Sequence, residues 1–373
     1  MASFGRAENP HEKSGEIRAL LAKSLSPDGP GAAVLVSRNS VPVHLSGYGL
    51  ADIKSRAPIT PDSMFDLASV SKHITGVAVL SLAGQGKLDP DAPLTKALPD
   101  FSVPEKRRPV TVSDLLHHVS GLADYTGDEW EGSDTEFAAL TTETHLAWLN
   151  KTSPRRAPGA KFEYNNTEYA LLALVVERLS HQTFNEYVRE HLFRPAGMQQ
   201  TFVRDGTEKL PETAVKGYKV SDDGKAHRAS SPTVITGDGS VYTSARELAL
   251  WDAALRGNAL VDEKSLQQAW TNGRFDNGKP VRDEDGNGYG YGWFIDPGKP
   301  LVFHSGSWDG TSTYLIMGRN NGLTVAVLSN DENADTEAIA EAIYALFNRD
   351  EKQEQHGSPF FPDLAERPAK VSP

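Results

Sequence analysis

The chain of 373 residues contains no cysteine. That excludes thiol nucleophiles, thiolate metal ligands and disulfide cross-links, and it leaves the compartment undetermined. Positive charge is scarce: 38 lysines and arginines face 50 aspartates and glutamates, a formal net charge of −12. An acidic surface argues against nucleic acid or an anionic membrane as the main partner and favours solubility. No window comes near the roughly 20 apolar residues of a membrane span. The opening "MASFGRAENPHEKSGEIRAL" lacks the apolar segment of a secretory signal. The expected compartment is therefore the cytoplasm, or the periplasm or medium if a signal has been removed. Several catalytic signatures are missing as well. There is no G-x-S-x-G elbow, no H-E-x-x-H and no G-x-x-x-x-G-K-[ST]. The glycines of "GNGYGYGW" (286–293) precede a strand-like run, where a dinucleotide fingerprint would open a helix. No metal and no cofactor are expected, and His117 and His118 read as helix-packing residues.

What is present is enough for a folded globular protein: 38% apolar and 24% charged residues. Helical spacing marks 15–25, and "AAVLVSRNSVPVHLSGYGLADI" (32–53) reads as a β-hairpin turning at Arg38-Asn39-Ser40. A long helical stretch follows: 69–83, then 110–119 capped by Thr111 or Ser113, then 134–150, 166–182, 243–258 and 262–273. Strand-like runs return at 289–296, 300–306, 311–319 and 323–330, before a helix at 334–349. This order predicts one antiparallel sheet flanked by helices, an α/β (α+β) arrangement, with the helical block inserted as a second lobe. The boundaries expected are a single domain over 1–350, its α/β lobe at about 15–60 and 285–349 and its mainly helical lobe at about 61–284. The tail 351–373 reads as poorly ordered. A ligand site belongs in the cleft between the lobes.

Three short stretches carry chemistry. In "FDLASVSKHIT" (65–75), Ser69 and Lys72 stand one turn apart on a helix opening into an apolar run. Serine needs a base, and a lysine takes its proton only when partly neutral, which burial promotes. The start of the helix also offers N–H groups to an oxyanion. The same residues equally fit an N-cap and a solvated lysine. In "FEYNNTEYALL" (162–172), Tyr164 and Asn166 form a Y-x-N triplet. Tyr164 suits a general base if Lys72 and His304 act as cationic neighbours, and Asn166 suits a holder of the lysine and of a substrate amide. Asn165 and Glu168 have capping-box spacing, so one asparagine also reads as structural. In "FHSGSWDG" (303–310), His304-Ser305-Gly306 ends a strand, and on an edge strand a glycine lets ligand approach the backbone. There the N–H of Ser307 can join that of Ser69 as an oxyanion hole. A plain turn with His304 in the core is the simpler alternative.

As an ordered set these stretches resemble the penicillin-recognising serine hydrolases, the superfamily of class C β-lactamases, DD-peptidases, D-aminopeptidases and family VIII esterases. Tyr164-Asn165-Asn166 stands where class C-like enzymes have Y-x-N, and His304-Ser305-Gly306 stands in place of K-T-G. "LLHHVSGLADY" (115–125), 174–198, "GDGSVYTSARELALW" (237–251) and "YGYGWF" (289–294) look like the same family, so the resemblance spans about residues 15–349. It implies a β-lactamase-like fold with the active site between the lobes. It further implies an acyl-enzyme on Ser69, proton transfer by Lys72 and Tyr164, and substrate contacts from Asn166, His304, Gly306, Ser307 and, as a pocket wall, Tyr125. Substrates would be small esters, amides or β-lactams, without a cofactor; the oligomeric state is left open. Histidine in place of the K-T-G lysine is a variant of the family's DD-peptidases, D-aminopeptidases and many esterases, so the resemblance puts clinical-type β-lactamase activity in doubt, and recognition of a substrate carboxylate would weaken as pH rises through the histidine pKa. No counterpart of the class A deacylation glutamate is seen, so deacylation falls to Tyr164 and Lys72 or to the substrate. The alternatives are a D-residue-specific peptidase of DD-carboxypeptidase type, and a non-catalytic penicillin-binding or sensor protein. The loops 125–135, 205–232 and 274–288 are expected to shape the pocket.

Overall fold

The apolar run Ala32–Val36, followed by Ser37 and Arg38, makes Ala32–Arg38 a strand buried on both faces up to its last residue. In the computed structural model, which describes residues 10–104, 106–206, 209–230 and 234–356, this strand lies inside a seven-stranded antiparallel sheet. The spatial order is Gly288–Tyr289, Phe294–Ile295, Leu301–Trp308, Thr311–Gly318, Leu323–Ser329, Ala32–Arg38 and Val41–Tyr48. The early hairpin therefore pairs with the last strand, Ala32 opposite Ser329 and Arg38 opposite Leu323. Its turn has only Asn39 and Ser40 between paired residues, both at positive φ (49° and 65°), as a tight hairpin turn requires.

Alternation along the strands divides the core in two. Val34, Val36, Val325 and Val327 face the terminal helices Pro10–Ser24 and Thr336–His356, against Ile17, Leu21, Ile339 and Ile343. Ala33, Leu35, Ala326 and Leu328 face the other way, into a larger core shared with the helices Lys72–Gly84, Asn166–Ser180 and Ala245–Arg256.

Several elements differ from the sequence reading. The run 134–150 is two helices, Asp134–Ala138 and Thr142–Leu149, because Thr141 begins a second capping box with Thr144 after the first between Ser133 and Glu136. The run 289–296 is broken into two two-residue strands by a turn containing Gly292 at φ +76°. The last helix runs on to His356, past the expected end at 349; the rest of the expected tail, 357–373, lies outside the described residues. A three-stranded sheet went unread: Phe65–Asp66, Val241–Thr243 and Phe202–Val203, each strand too short to show a period. Among the described residues no helix is long and apolar enough to cross a membrane.

Gly292 seats the first turn of the helix that carries Lys72. A Cβ there would come within 2.5 Å of the Lys72 carbonyl and the His73 amide, at a φ that L-residues avoid. Gly292→Ala is therefore expected to lower unfolding stability by about 2 kcal/mol, measured by urea titration; a neutral or stabilising change would refute this account of the turn.

Candidate active site

The approach to Ser69 is built by pairing and then by strain. Phe65 and Asp66 pair with Thr243 and Tyr242, and the Leu67 N–H donates to the Val241 carbonyl (2.9 Å). The next residue, Ala68, sits at φ +46°, a conformation costing on the order of 1 kcal/mol for an L-residue. Neighbours hold it there. The Ala68 N–H donates to Asp66 Oδ1 (2.9 Å), Thr311 Oγ1 donates to the Asp66 carbonyl (3.0 Å), and Thr313 Oγ1 donates to the Leu67 carbonyl (2.8 Å). The chain then makes a 3₁₀ turn, Ala68–Ser71, before the α-helix proper begins at Lys72. Ser69 makes no capping hydrogen bond, which removes the N-cap alternative for it.

Lys72 is wholly buried, so it is not a solvated side chain. Its Nζ donates to Ser69 Oγ (3.1 Å), Asn166 Oδ1 (2.7 Å) and the Asp238 carbonyl (2.8 Å), an acceptor for each of its three protons. It also lies 4.9 Å from the centre of the Tyr164 ring and 5.8 Å from that of Tyr169. Asn166 is aimed by its own contacts: its N–H donates to Asp124 Oδ2 (3.1 Å) and its Nδ2 to Thr126 Oγ1 (2.9 Å). The capping box expected between Asn165 and Glu168 does not form. Asn165 turns its Nδ2 to the Leu122 carbonyl (2.9 Å), and Glu168 turns to His118 and Ser120. The Tyr164 hydroxyl oxygen is buried and has no hydrogen-bond partner among the described residues.

The strand Leu301–Trp308 brings the third group. Its inner edge is paired only at Val302 and Phe303, so from His304 onward that edge carries no strand. Gly306 passes so close to the nucleophile turn that a Cβ would come within 2.4 Å of the Leu67 carbonyl and 3.2 Å of the Ser69 amide. His304 corrects the expectation of a cationic neighbour for Tyr164. It is 1% exposed, with Nε2 3.0 Å from Tyr289 Oη and Nδ1 2.6 Å from the Ser305 carbonyl. One neutral tautomer satisfies both contacts, Tyr289 donating to Nε2 and Nδ1–H donating to the carbonyl. Burial, and after it the charge of Lys72, lowers the pKa to about 3. At neutral pH His304 is an uncharged wall 6.0 Å, ring to ring, from Tyr164.

These parts meet around a cavity of about 340 Å³ lined by Ser69, Tyr125, Tyr164, Asn166, His304 and Ser307. Tyr125 is buried and donates to Asp238 Oδ2 (2.6 Å). Sequence reasoning missed Asp66, Asp238, Phe294 and Trp308, which also line it. Asp238 lies in the quoted "GDGS", but what brings it there is a loop fold that no local period encodes. Burial raises both aspartates to about 6, and for Asp238 the nearby Lys72 only partly offsets this. Among the described residues of the loops 205–232 and 274–288, none lines the cavity, and 125–135 gives it only Tyr125. No lysine or arginine is among the described lining residues.

Buried imidazoles set an acid limit on the fold. Burial lowers His73 to about 4 and His145 and His304 to about 3, and it lowers His117 and His118 as well. In the unfolded chain each protonates below about 6.5. The unfolded state then binds more protons, so stability rises with pH in this window and falls as acid is added. Burial lowers His44 as well, making six histidines among the described residues; the carboxylates Asp66, Asp238, Glu168, Glu177 and Asp309, all raised, act in the opposite sense but are fewer. The melting temperature is expected to fall by several degrees between about pH 7 and pH 5; a higher value at pH 5 by calorimetry would show that the carboxylates dominate.

Comparison with known proteins bears on the family and the fold. The profile of the Beta-lactamase family matches residues 17–348. Penicillin-binding protein 4* of Bacillus subtilis (strain 168) is 30% identical over 356 residues, covering 90% of this chain and 74% of that protein. Protein flp of Staphylococcus aureus (strain MW2) is 29% identical over 314 residues; the match covers 81% of this chain and spans 59% of the flp protein's length. Among solved structures, the octameric penicillin-binding protein homologue from Pyrococcus abyssi superposes with a TM-score of 0.77 at 26% identity, covering 92% of this chain and 77% of that one.

Proposed function

The chain belongs to the Beta-lactamase family of serine hydrolases, and from that premise we propose that it hydrolyses small esters or amides lacking a carboxylate, through an acyl-enzyme on Ser69. The observation that carries this reading is the hydrogen bond between the buried Lys72 Nζ and Ser69 Oγ (3.1 Å), the path along which the serine proton can leave. In acylation Lys72 acts as the free amine: Ser69 Oγ attacks the substrate carbonyl carbon while its proton passes to Lys72 Nζ and then, through Tyr164, to the departing oxygen or nitrogen. The N–H groups of Ser69 and Ser307 hold the oxyanion, on the edge kept open beside Gly306. Water then repeats the sequence in reverse roles to release the acid. Asn166 keeps Lys72 directed at Ser69 throughout.

The preference against carboxylates follows from charge. β-Lactams and D-alanyl-D-alanine peptides present an anion to the site. Here the described lining contains two aspartates and no lysine or arginine, and His304 is neutral. The one cation beside the site among the described residues, Lys72, already has all three of its protons engaged, so an anionic group finds no cation free there to pair with it, and a neutral or ammonium-bearing one is favoured. The same observation favours one second reading, hydrolysis of amino-acid amides bearing a free amine.

Ser69→Ala is expected to reduce turnover of a nitrophenyl ester by about a thousandfold or more, and residual turnover near the wild-type rate would refute the acyl-enzyme. On the intact enzyme, kcat/KM for short neutral esters and amino amides is expected to exceed that for a chromogenic cephalosporin. A cephalosporin hydrolysed as fast as the esters would contradict the charge argument. A stable penicilloyl adduct on Ser69 by mass spectrometry, without turnover of any substrate, would mark a sensor.

A further inference from the structure

Close to the nucleophile lies a pair of titratable side chains that no step above uses. His118 is fully buried, at φ +55°, just past the helix Val112–Leu116. Its Nδ1 is 2.5 Å from Glu168 Oε2, and Glu168 Oε1 accepts the Ser120 N–H (3.1 Å). Glu168 is as deeply buried, in the first turn of the helix that begins at Asn166. The imidazole packs on three tyrosine rings, 4.6 Å from Tyr164, 5.1 Å from Tyr169 and 4.6 Å from Tyr289, centroid to centroid. Tyr164 and Tyr169 are the two rings beside the Lys72 ammonium, and the Tyr289 hydroxyl bonds His304. One imidazole thus touches the aromatic walls of the whole proton-transfer group, while its Nε2 has no hydrogen-bond partner among the described residues.

We propose that His118 and Glu168 are positioning residues for the hydrolase described above. A single proton held between them keeps the imidazole as an uncharged wedge that sets Tyr164 against Lys72. The inference rests on the acyl-enzyme reading of the site. Burial drives both partners to their neutral forms, pushing the Glu168 carboxyl well above the carboxylate range and His118 well below the usual imidazole value. The charges around the pair work the same way. Lys72 opposes a cation on His118, and Asp124 and Asp114 oppose an anion on Glu168; the bonds from Ser120 favour the anion. The proton therefore resides on Glu168 Oε2, which donates to Nδ1, and the imidazole is the Nε2–H tautomer packed against aromatic faces. An imidazolium here would set a second cation near Lys72, with a desolvation cost that the carboxylate of Glu168 would have to offset.

Glu168→Gln preserves the arrangement, its amide N–H donating to Nδ1 and its oxygen accepting from Ser120, so kcat and its pH profile are expected to stay within about threefold of wild type. Glu168→Leu and His118→Leu remove the lock. They are expected to lower kcat about a hundredfold with KM nearly unchanged, as for a small displacement of reacting groups. Histidine-selective ¹⁵N NMR, with the His118 signal assigned by its loss in His118→Leu or by through-bond assignment of the wild type, is expected to show a neutral Nε2–H tautomer from about pH 5 to pH 9. An imidazolium that titrates in that range would overturn the proposal, as would Leu variants with wild-type kcat, or a Gln variant as impaired as the Leu variants. If the Leu variants do not fold, the Gln variant and the wild-type spectrum decide. Persistent turnover by Ser69→Ala would defeat the acyl-enzyme reading alone, because the state of the His118–Glu168 proton is read without catalysis.

Discussion

An ammonium buried away from water is costly unless every proton finds an acceptor. For Lys72 the three acceptors come from three separate segments: the Ser69 hydroxyl on its own turn, the Asn166 side-chain oxygen at the start of another helix, and the Asp238 backbone carbonyl in a loop. Removing any one leaves an unmatched buried charge, so this group ties the nucleophile, the tyrosine-bearing segment and the pocket loop into one geometry. The strained Ala68 and the close passage of Gly306 and Gly292 are tolerated because the same packing holds them.

Around that cation the site is otherwise uncharged or acidic. His304 is neutral because it is buried near Lys72, and both ring nitrogens are already engaged. His118 and Glu168 share their proton for the same reason, burial reinforced by neighbouring charge. Substituting histidine for lysine at this place in the strand therefore changes the field as well as the size of the side chain. A lysine would add a permanent positive charge, whereas this histidine completes a wall of aromatic and imidazole rings with Tyr164, Tyr289 and Phe294.

Much of the architecture was legible along the chain. The valine-rich hairpin, the apolar helix Asn166–Ser180 and the late strands each carry a period or a burial pattern long enough to read. The sheet Phe65–Asp66, Val241–Thr243 and Phe202–Val203 was not, because two or three residues hold no period, although it is this sheet that delivers Ser69. Asn165 and Glu168 show how a correct local pattern misleads: the spacing fits a capping box, but a buried imidazole at His118 competes for the carboxyl and takes it.

By itself the sequence determined the reactive inventory and its order: a serine with a lysine one turn later, a tyrosine and asparagine ahead of an apolar helix, and a histidine before a glycine at the end of a strand. Those are covalent facts of spacing, and local periodicity suffices to place them on elements. Only the tertiary structure decided the protonation and the company of these groups. Desolvation and Coulomb interactions depend on residues far apart in the chain, Asp238 beside Lys72 and Tyr289 beside His304 among them, and no local window contains both members of such a pair.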